Sequence, residues 1–486
     1  MTNLSALFPA GAGKQVSFVA DGSISAAGKP VRLTAAGKAA EIVGASDSAG
    51  TPVVFEAAAS SYCGATFDSN ENKVVISYRD ELNSDYGTAV VGTVSGTAIS
   101  YGTPVVFESA AVNSTSATFD SDSNKVVIGY GDQGNSEYGT AIVGTVSGTA
   151  ISFGTAVVYE SATSYYNIAT FDSNSNKVVI SYRDAGNSSY GTGIVGTVSG
   201  TSISFGTAVV FASGTTYDVE ATFDSNSNTV VIVYQNASGS DYGTSVVGTV
   251  SGTAISYGTP VVFEAAVTEF SSVTFDSNSN KVVIAYRDDG NSMYGTAIVG
   301  TVSGTAISFG TAVVFEAARS DYISTAFDSN TNKAVIAYQD PNNSDYGTGI
   351  TGTVSGTSIS FDPALVFETS NTSDTAATFD SDSNKVVIVY RDAGNSNYGT
   401  GVVYSTGSTN LTASNLLGIS DAAISDTASG NITVKGGIAV NGLSSLTPGT
   451  DYYAQGDGTI STVTTSPAVK LGRALSATSI DLEYQS

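Results

Sequence analysis

Aromatic and arginine side chains occur at corresponding positions in successive copies of a repeated segment of this chain. The aromatic residues are Tyr62, Tyr165, Tyr166, Tyr217, Phe270 and Tyr322. The arginines, which begin a polar stretch further along each copy, are Arg79, Arg183, Arg287 and Arg391. Aromatic rings provide a large contact area at little entropic cost, and guanidinium groups donate several hydrogen bonds, so both favour recognition surfaces. We therefore predict a ligand-binding face; the alternative is unrestrained variation of exposed loops.

The rest of the chain offers little for catalysis. It contains no histidine, which excludes histidine-based triads and leaves the single cysteine, Cys63, without the partner of a thiol nucleophile. Glutamates recur at the end of one predicted strand, with Ala212 in the fourth copy: Glu56, Glu108, Glu160, Glu264, Glu316 and Glu368. A glycosidase needs two carboxylates placed asymmetrically across one bond, so an even ring of acids indicates a structural role. We predict no catalytic residue and no cofactor.

Acidic turns are the one motif that suggests a metal. Each copy contains Phe-Asp-Ser-(Asn/Asp)-x-Asn, which in the first copy covers residues 67–72. The motif is similar to the start of a calcium loop, but it lacks the later bidentate glutamate, and Lys73 follows it. Asp and Asn side chains bond to their own backbone and tolerate left-handed geometry. We therefore predict an Asx-type turn and no metal site.

The charge balance limits the partners that this chain can bind. It has 18 Lys+Arg against 43 Asp+Glu, a formal net charge of −25. A protein that neutralises phosphates needs a basic patch, and no Lys/Arg cluster occurs, so we expect no nucleic-acid partner. No run of about 18 apolar residues predicts membrane insertion. The N-terminus has no positive residue before Lys14, and Pro9 interrupts its apolar run, so we expect no secretory signal.

The elements that carry the aromatic and arginine residues come from an internal repeat. The Phe of the Asp-Ser motif falls at 67, 119, 171, 223, 275, 327 and 379, a constant period of 52 residues. The first copy reads as four strands, at about residues 65–69, 73–78, 86–94 and 97–107, separated by turn residues. This pattern predicts an all-β fold with a seven-bladed β-propeller of 52-residue blades.

An additional strand before the first copy predicts how the ring closes. Residues 50–56 match the fourth strand of a copy, whereas the seventh copy ends after its third strand, at Tyr404. We expect residues 50–56 to pair with the blade that contains Phe379, because this pairing removes an open edge.

The connections between strands differ in how much they vary. The turns after the first and third strands hardly change between copies, while the connections after the second and fourth strands change strongly. In a four-stranded blade these two pairs of connections lie on opposite faces. We expect loops at the variable connections, with all of the candidate aromatic and arginine residues on the one face.

Two segments without repeats flank the propeller of residues 48–404. Residues 1–47 and 405–486 are predicted to form one small β domain into which the propeller is inserted. The C-terminal segment contains Leu446–Gly449 (LTPG), Tyr452–Tyr453, Asp457–Thr459 (DGT) and Gly472–Ser476 (GRALS). This set resembles the terminal β module of tailed-phage virion proteins, including tail fibres. The N-terminal segment 28–38 (GKPVRL…GK) is similar to the segment that often precedes that module.

The resemblance implies a structural protein on the virion surface, assembled in the host cytoplasm. Residues 1–47 and 405–486 would contact other virion subunits or further copies of this chain. The propeller would present its variable face to a host-surface glycan or receptor. Two alternatives stand beside this expectation: a protein that decorates or cements a capsid or filament without binding a receptor, and an enzyme that acts on polysaccharide. The resemblance transfers no catalytic residues.

Overall fold

The chain folds into two compact units, residues 47–406 and residues 1–46 together with 407–486. The structure is a computed structural model that describes residues 15–34, 36–42, 46–407, 411, 414–456, 458–462 and 468–483. The N-terminal residues 1–14, on which the expected lack of a signal rests, lie outside the described residues. Within the described part, no helix is long and apolar enough to cross a membrane.

Residues 47–406 form a ring of seven antiparallel blades, numbered here from the blade that contains Phe67 to the blade that contains Phe379. The second strands of the seven blades are rich in β-branched residues: Lys73–Asp80, Lys125–Asp132, Lys177–Asp184, Thr229–Asn236, Lys281–Asp288, Lys333–Asp340 and Lys385–Asp392. The third strands pair with them: Tyr86–Ser95, Tyr138–Ser147, Tyr190–Ser199, Tyr242–Ser251, Tyr294–Ser303, Tyr346–Ser355 and Tyr398–Ser405. The predicted all-β, seven-bladed propeller is confirmed.

The outer strand of one blade continues directly into the inner strand of the next. These long strands are Val53–Asp68, Val105–Asp120, Val157–Asp172, Val209–Asp224, Val261–Asp276, Leu365–Asp380 and, interrupted at one residue, Val313–Arg319 with Asp321–Asp328. A separate short strand completes the outer edge of six blades: Ala98–Tyr101, Ala150–Phe153, Ser202–Phe205, Ala254–Tyr257, Ala306–Phe309 and Ser358–Phe361. The expected single fourth strand over residues 97–107 is therefore wrong, because the chain leaves strand geometry between Tyr101 and Val105.

The expected loops between the outer and inner strands are also wrong. The chain crosses from blade to blade in extended conformation, and a β-bulge takes the place of a loop. In the first long strand, Ser61 pairs with Arg79 and Gly64 pairs with Ser77, which leaves two residues without cross-strand partners. The first of the two, Tyr62, has a φ of 52°. A bulge bends the strand and increases its twist, which turns the chain from one blade into the next without a loop.

The ring closes as predicted. Val53 pairs with Gly401 and Glu56 pairs with Gly399, so the first long strand supplies the outer strand of blade 7. The two-residue strand Ser48–Ala49 extends this edge by pairing with Tyr404 and Ser405. The N-terminal part of the propeller thus covers the edge that the seventh copy leaves open.

The Asp-Ser-Asn turns are the Asx turns that the sequence predicts. Asp68 accepts hydrogen bonds from the backbone N–H groups of Asn70 at 2.9 Å and Glu71 at 3.0 Å. Asn72, which ends the turn, has a φ of 55°. The carboxylate therefore satisfies the backbone of its own turn, and the turn joins the first two strands of a blade on the face where the turns hardly change between copies.

The recurring glutamates link neighbouring blades. The phenol of Tyr78, which is fully buried, donates a hydrogen bond of 2.8 Å to Glu56 of the outer strand that precedes it. The same bond recurs at five more blade junctions: Tyr130–Glu108, Tyr182–Glu160, Tyr286–Glu264, Tyr338–Glu316 and Tyr390–Glu368. The predicted structural role of this ring of acids agrees with these contacts.

Short 3₁₀ turns follow the second strands of blades 2 to 7. They cover Gln133–Asn135, Ala185–Asn187, Ala237–Gly239, Asp289–Asn291, Pro341–Asn343 and Ala393–Asn395. In blade 3 the carboxylate of Asp184 caps the turn by accepting a hydrogen bond of 3.0 Å from the backbone N–H of Asn187. Each turn leads the chain back into the third strand on the same face as the bulges.

The second unit contains two five-stranded sheets. The first joins strands from both flanking segments, in the order Gln15–Val19, Ser429–Val434, Leu416–Ser420, Pro30–Leu33 and Ala39–Glu41. The other comes from the C-terminal segment, in the order Ile438–Ala439, Ser479–Leu482, Ala468–Ser476, Asp451–Gln455 and Ile460–Ser461. Buried side chains of both sheets, among them Leu416 and Leu471, share one core.

Candidate functional site

Sheet register brings the candidate residues of each blade together at one end of the ring. The inner strand and the second strand of a blade pair so that Tyr165 lies opposite Arg183, and Tyr217 lies opposite Gln235. Directly opposed residues of an antiparallel pair project to the same side of the sheet. We call this end of the propeller the variable face; it carries positions 61, 62 and 79 of blade 1 and their equivalents in the other blades.

The bulge residues join neighbouring blades on this face. All seven have a positive φ, between 48° and 53°, and they are Tyr62, Ser114, Tyr166, Asp218, Phe270, Tyr322 and Asp374. The hydroxyl of Ser114 accepts a hydrogen bond of 3.2 Å from the backbone N–H of Tyr166, one blade further on. The carboxylate of Asp218 accepts one from the backbone N–H of Ser271 in the same way. The bulges therefore hold the inner strands side by side around the centre of the ring.

Blades 3 and 4 build the first cluster of candidate residues, which we call the Arg183 cluster. The guanidinium carbon of Arg183 lies 5.1 Å from the ring centroid of Tyr165 and 4.7 Å from that of Tyr217. The ring of Tyr166 packs edge-on against Tyr217, with centroids 6.5 Å apart. The hydroxyl of Tyr165 donates a hydrogen bond of 3.1 Å to Glu137, and burial followed by this bond raises the pKa of the Tyr165 phenol.

Blades 5 and 6 build a second cluster around Arg287. Its guanidinium carbon lies 5.0 Å from the ring centroid of Phe270, and that ring lies 5.0 Å from the ring of Tyr322. The Arg287 side chain is only 6% exposed. It forms ion pairs with three carboxylates, from Glu269, Asp289 and Asp321.

These carboxylates fix the charge of Arg287. Burial lowers the pKa of its guanidinium, but the hydrogen bonds to Asp289 and Asp321 and the nearby charge of Glu269 outweigh burial and raise that pKa above its usual value. The guanidinium donates four hydrogen bonds to these three carboxylates. Arg287 holds the face together and offers little of its charge to a ligand.

The remaining candidates lie at the junction of blades 7 and 1. Arg79 forms an ion pair of 2.8 Å with Asp85, and Arg391 forms one of 2.8 Å with Glu81. Tyr62 is 41% exposed and makes no ring contact with any other aromatic residue that the structure describes. The structure thus places all ten predicted residues on the variable face, but in three separate groups.

The site also contains two acids, Asp218 and Glu220, that were not among the residues predicted from the sequence. Burial raises the pKa of Asp218 to about 6. Burial, with a smaller contribution from the nearby charge of Asp218, raises the pKa of Glu220 to about 8. Glu220 lies on the inner strand two residues after the bulge, where the other copies carry Gly, Ser, Ile or Ala. A comparison of the copies at this position would have found it.

A shallow depression of about 400 Å³ opens on the variable face between blades 6 and 7. Tyr322, Gln339 and Asn371 line it, and Gln339 donates a hydrogen bond of 3.2 Å to the side-chain oxygen of Asn371. Its polar lining and its aromatic edge suit a hydrophilic ligand. Across the described residues no three His, Cys, Asp or Glu side chains are grouped closely enough to hold a metal ion.

Comparison with known proteins identifies the fold but no family. No protein-family model matches this chain, and no characterised protein matches its sequence significantly. The BP39L lectin from Burkholderia pseudomallei superposes with a TM-score of 0.54 at 10% sequence identity, over 74% of this chain and 99% of the lectin. A protein of unknown function from Dyadobacter fermentans gives a TM-score of 0.48 at 11% identity, over 74% of this chain and 99% of its own.

The β-propeller domain of Cps50 (Swd1) from Myceliophteria thermophila also aligns, with a TM-score of 0.48 at 7% identity, over 73% of this chain and 99% of its own. At such identities the likeness concerns the fold alone. This chain therefore shares the β-propeller fold with the lectin.

Proposed function

We propose that this chain is a non-enzymatic virion protein of a tailed phage, whose propeller binds a host-surface glycan through the variable face. The observation that carries the proposal is the convergence of aromatic rings and arginines from successive blades on one end of the ring. The opposite end carries near-identical Asx and hairpin turns. A face that changes from blade to blade presents an asymmetric surface, which a ring of identical blades could not do.

The chemistry of the face suits a saccharide. Sugars present apolar C–H patches together with hydroxyl groups, so aromatic faces beside amide and guanidinium donors bind both parts. Tyr62, exposed by 41%, and Tyr165 both offer rings on this face, and Gln339 borders the depression between blades 6 and 7. A lectin shares the fold, which fits this proposal, although the likeness itself does not extend to the ligand.

The proposed link to a virion rests on the second unit. Two of the motifs that resemble the phage module lie on neighbouring strands. Tyr452 and Tyr453 lie in the strand Asp451–Gln455, and Gly472–Ser476 lie in the strand Ala468–Ser476, which pairs with it. Asp457 of the same resemblance lies outside the described residues. We propose that this unit attaches the chain to other virion subunits or to further copies, and that the propeller is displayed on the virion surface.

Substitutions taken from other copies test the proposed face without introducing residues that the fold has not accommodated. Ser occupies the position of Tyr62 in blade 2, at Ser114, and the position of Tyr165 in blade 1, at Ser61. We expect Tyr62→Ser and Tyr165→Ser to reduce binding on a glycan array or to host cells by about tenfold or more, the size typical of an aromatic anchor. Glu71→Ser, which makes a similar exchange in an Asx turn on the opposite face, should leave binding unchanged.

Three outcomes would contradict the proposal. Equal loss from the Glu71 variant would mean that the tyrosine variants act through folding. If no host glycan or cell binds, and the variable face is instead covered by other virion subunits in an image of the assembled particle, the chain decorates or cements that particle. Release of reducing sugar from host polysaccharide by the purified chain would make it an enzyme.

A further inference from the structure

Arg183 differs from the three other arginines of the variable face in its surroundings. Arg79 pairs with Asp85, Arg391 pairs with Glu81, and Arg287 pairs with three carboxylates. Arg183 forms no ion pair or hydrogen bond with any residue that the structure describes, and its Nε is buried without a hydrogen-bond partner. It is held between the rings of Tyr165 and Tyr217 instead.

The repeat explains why Arg183 has no carboxylate partner. The acids that pair with the other three arginines occupy five positions of the repeat. Two of these positions lie two and six residues after the arginine, one is the residue opposite the arginine on the inner strand, and two are in the next blade. Around Arg183 all five positions hold uncharged residues: Ala185, Ser189, Tyr165, Tyr217 and Ala237. None of the acids that neutralise the other three arginines therefore has a counterpart around Arg183.

Two acids that neighbour the tyrosines of the cluster have other partners. Glu137 accepts the hydrogen bond of the Tyr165 hydroxyl, and Asp218 accepts one from the backbone N–H of Ser271. The two tyrosine rings stabilise the cation of Arg183 through their π faces, but they leave its N–H groups without acceptors. A planar guanidinium fixed between two rings presents its donors in a constant orientation, and such a fork matches the two oxygens of a carboxylate.

We infer that the Arg183 cluster binds a carboxylate group of an acidic sugar, which supplies the counter-charge that Asp or Glu supplies at the other arginines. This inference rests on the proposed function, because it names the part of the glycan that one blade junction recognises. The formal charge of −25 repels acidic polymers in general, so binding of such a polymer requires a local site of this kind. Tyr165 and Tyr217 act as positioning residues for the guanidinium.

Two variants remove this site by different routes. Arg183→Gln introduces the residue that blades 4 and 6 carry, at Gln235 and Gln339, so the fold accommodates it. Ser189→Asp keeps the arginine and recreates the Arg79–Asp85 pair of blade 1. Ser189 has a φ of 62° and Asp85 one of 63°, so the aspartate enters a conformation that the same residue already adopts. Lys177→Thr is the matched control, because it removes one positive charge at the opposite end of the same blade and introduces the residue that blade 4 carries there, Thr229.

The test measures binding of three tetrasaccharides of equal length by calorimetry: one of uronic acids, one of neutral hexoses and one of sulfated hexoses. The full-length chain should bind the uronic acid tetrasaccharide at least tenfold more tightly than the neutral one. Arg183→Gln and Ser189→Asp should both abolish this preference, and Lys177→Thr should keep it. Equal affinity for the acidic and neutral tetrasaccharides, or an undiminished preference in Arg183→Gln, would overturn the inference. Tighter binding of the sulfated tetrasaccharide than of the uronic acid tetrasaccharide would overturn the choice of a carboxylate as the bound group.

A second measurement separates this inference from the proposed function. Glucuronate added to the ¹⁵N-labelled chain should shift the Nε–Hε resonance of Arg183, and glucose should not. If this shift occurs while no host glycan binds, the anion site stands and the proposed function fails. If host glycans bind through Tyr62 and Tyr165 while glucuronate leaves the Arg183 resonance unchanged, the proposed function stands and the carboxylate site is wrong.

Discussion

The hydroxyl of Tyr257 in blade 4 occupies the space that a side chain on Gly193 of blade 3 would need. A β-carbon at Gly193 would lie 2.0 Å from the Tyr257 hydroxyl oxygen. The same relationship closes the ring, where a β-carbon at Gly401 of blade 7 would lie 2.2 Å from the hydroxyl oxygen of Tyr101 in blade 1. At these two junctions the outer-strand aromatic residue is tyrosine and the facing residue of the preceding blade is glycine.

The other copies show the complementary choice. Where the outer-strand residue is phenylalanine, the facing position of the preceding blade carries Ala or Ser: Phe153 with Ala89, Phe205 with Ala141, Phe309 with Ser245 and Phe361 with Ala297. Where the aromatic residue lacks the hydroxyl oxygen, the facing residue of the preceding blade has a β-carbon in its place. Close-packed interiors respond to volume changes of this size, so the copies have adjusted to each other in pairs across the blade junctions.

This pairing predicts a coupling that a double-mutant cycle can measure. Gly193→Ala should reduce the free energy of unfolding by about 1–3 kcal/mol, the usual cost of overpacking a core. Tyr257→Phe alone should change it by less than about 1 kcal/mol, because the buried hydroxyl has no hydrogen-bond partner among the described residues. The double variant should recover most of the loss in chemical denaturation, and additive effects would contradict the proposed contact.

The repeat period was sufficient to predict the ring, its seven blades and its closure, because these follow from strand count and from the copy that lacks a strand. The same sequence did not reveal that the outer and inner strands are continuous. The segment around Tyr62 contains the small and polar residues of a loop, yet it pairs with the second strand through a bulge, and tertiary pairing decides between these two conformations.

The tyrosine–glutamate bonds between blades provide a second prediction, with a control inside the chain. Tyr182→Phe removes a hydrogen bond of 2.9 Å to Glu160 and should cost about 1.5–3 kcal/mol in the free energy of unfolding, as for a bond to a charged group. Tyr234 occupies the same position in blade 4, where Ala212 replaces the glutamate. Tyr234→Phe should therefore cost less than about 1 kcal/mol. Equal costs in urea unfolding would show that these bonds contribute nothing specific.

The two arginine clusters should separate stability from binding. Arg287→Gln leaves Glu269 and Asp289 without their cation and leaves the buried Asp321 with Arg319 alone, so the free energy of unfolding should fall by up to about 3 kcal/mol, the lower end of the cost of breaking a buried ion pair. Arg183→Gln removes a cation that has no acidic partner, so the free energy of unfolding should change by no more than about 1 kcal/mol. Thermal unfolding of the two variants checks the difference, and a larger loss from Arg183→Gln would contradict it.

The candidate site was predictable in its composition and its face, but not in the role of each arginine. Arg79, Arg183, Arg287 and Arg391 are the same residue at one repeat position, so the sequence alone predicts the same role for all four. Their roles differ because the acids that pair with them come from other strands and from the next blade. Those neighbours are known only once the register of the inner strands and the order of the ring are known.

Glu220 should make the stability of the propeller depend on pH. Its pKa in the folded chain is about 8, compared with 4.5 for an unperturbed glutamate. Between these two values the folded state keeps a proton that the unfolded state has released, so the free energy of unfolding falls as pH rises. One such group contributes a slope of up to about 1.4 kcal/mol per pH unit. The stabilising effect is fully present below about pH 4.5 and is lost as pH rises to about 8.

Two variants isolate the contribution of Glu220 from that of the many other acids in the chain. Glu220→Gln keeps the size of the side chain without its titration, and Glu220→Ser introduces the residue of blades 2, 5 and 6, at Ser116, Ser272 and Ser324. Both variants should lose less stability than the natural chain between pH 5 and pH 8, as measured by urea unfolding at a series of pH values. Slopes that run parallel to that of the natural chain would mean that Glu220 ionises in the folded ring at no cost, through contact with solvent in the centre of the propeller.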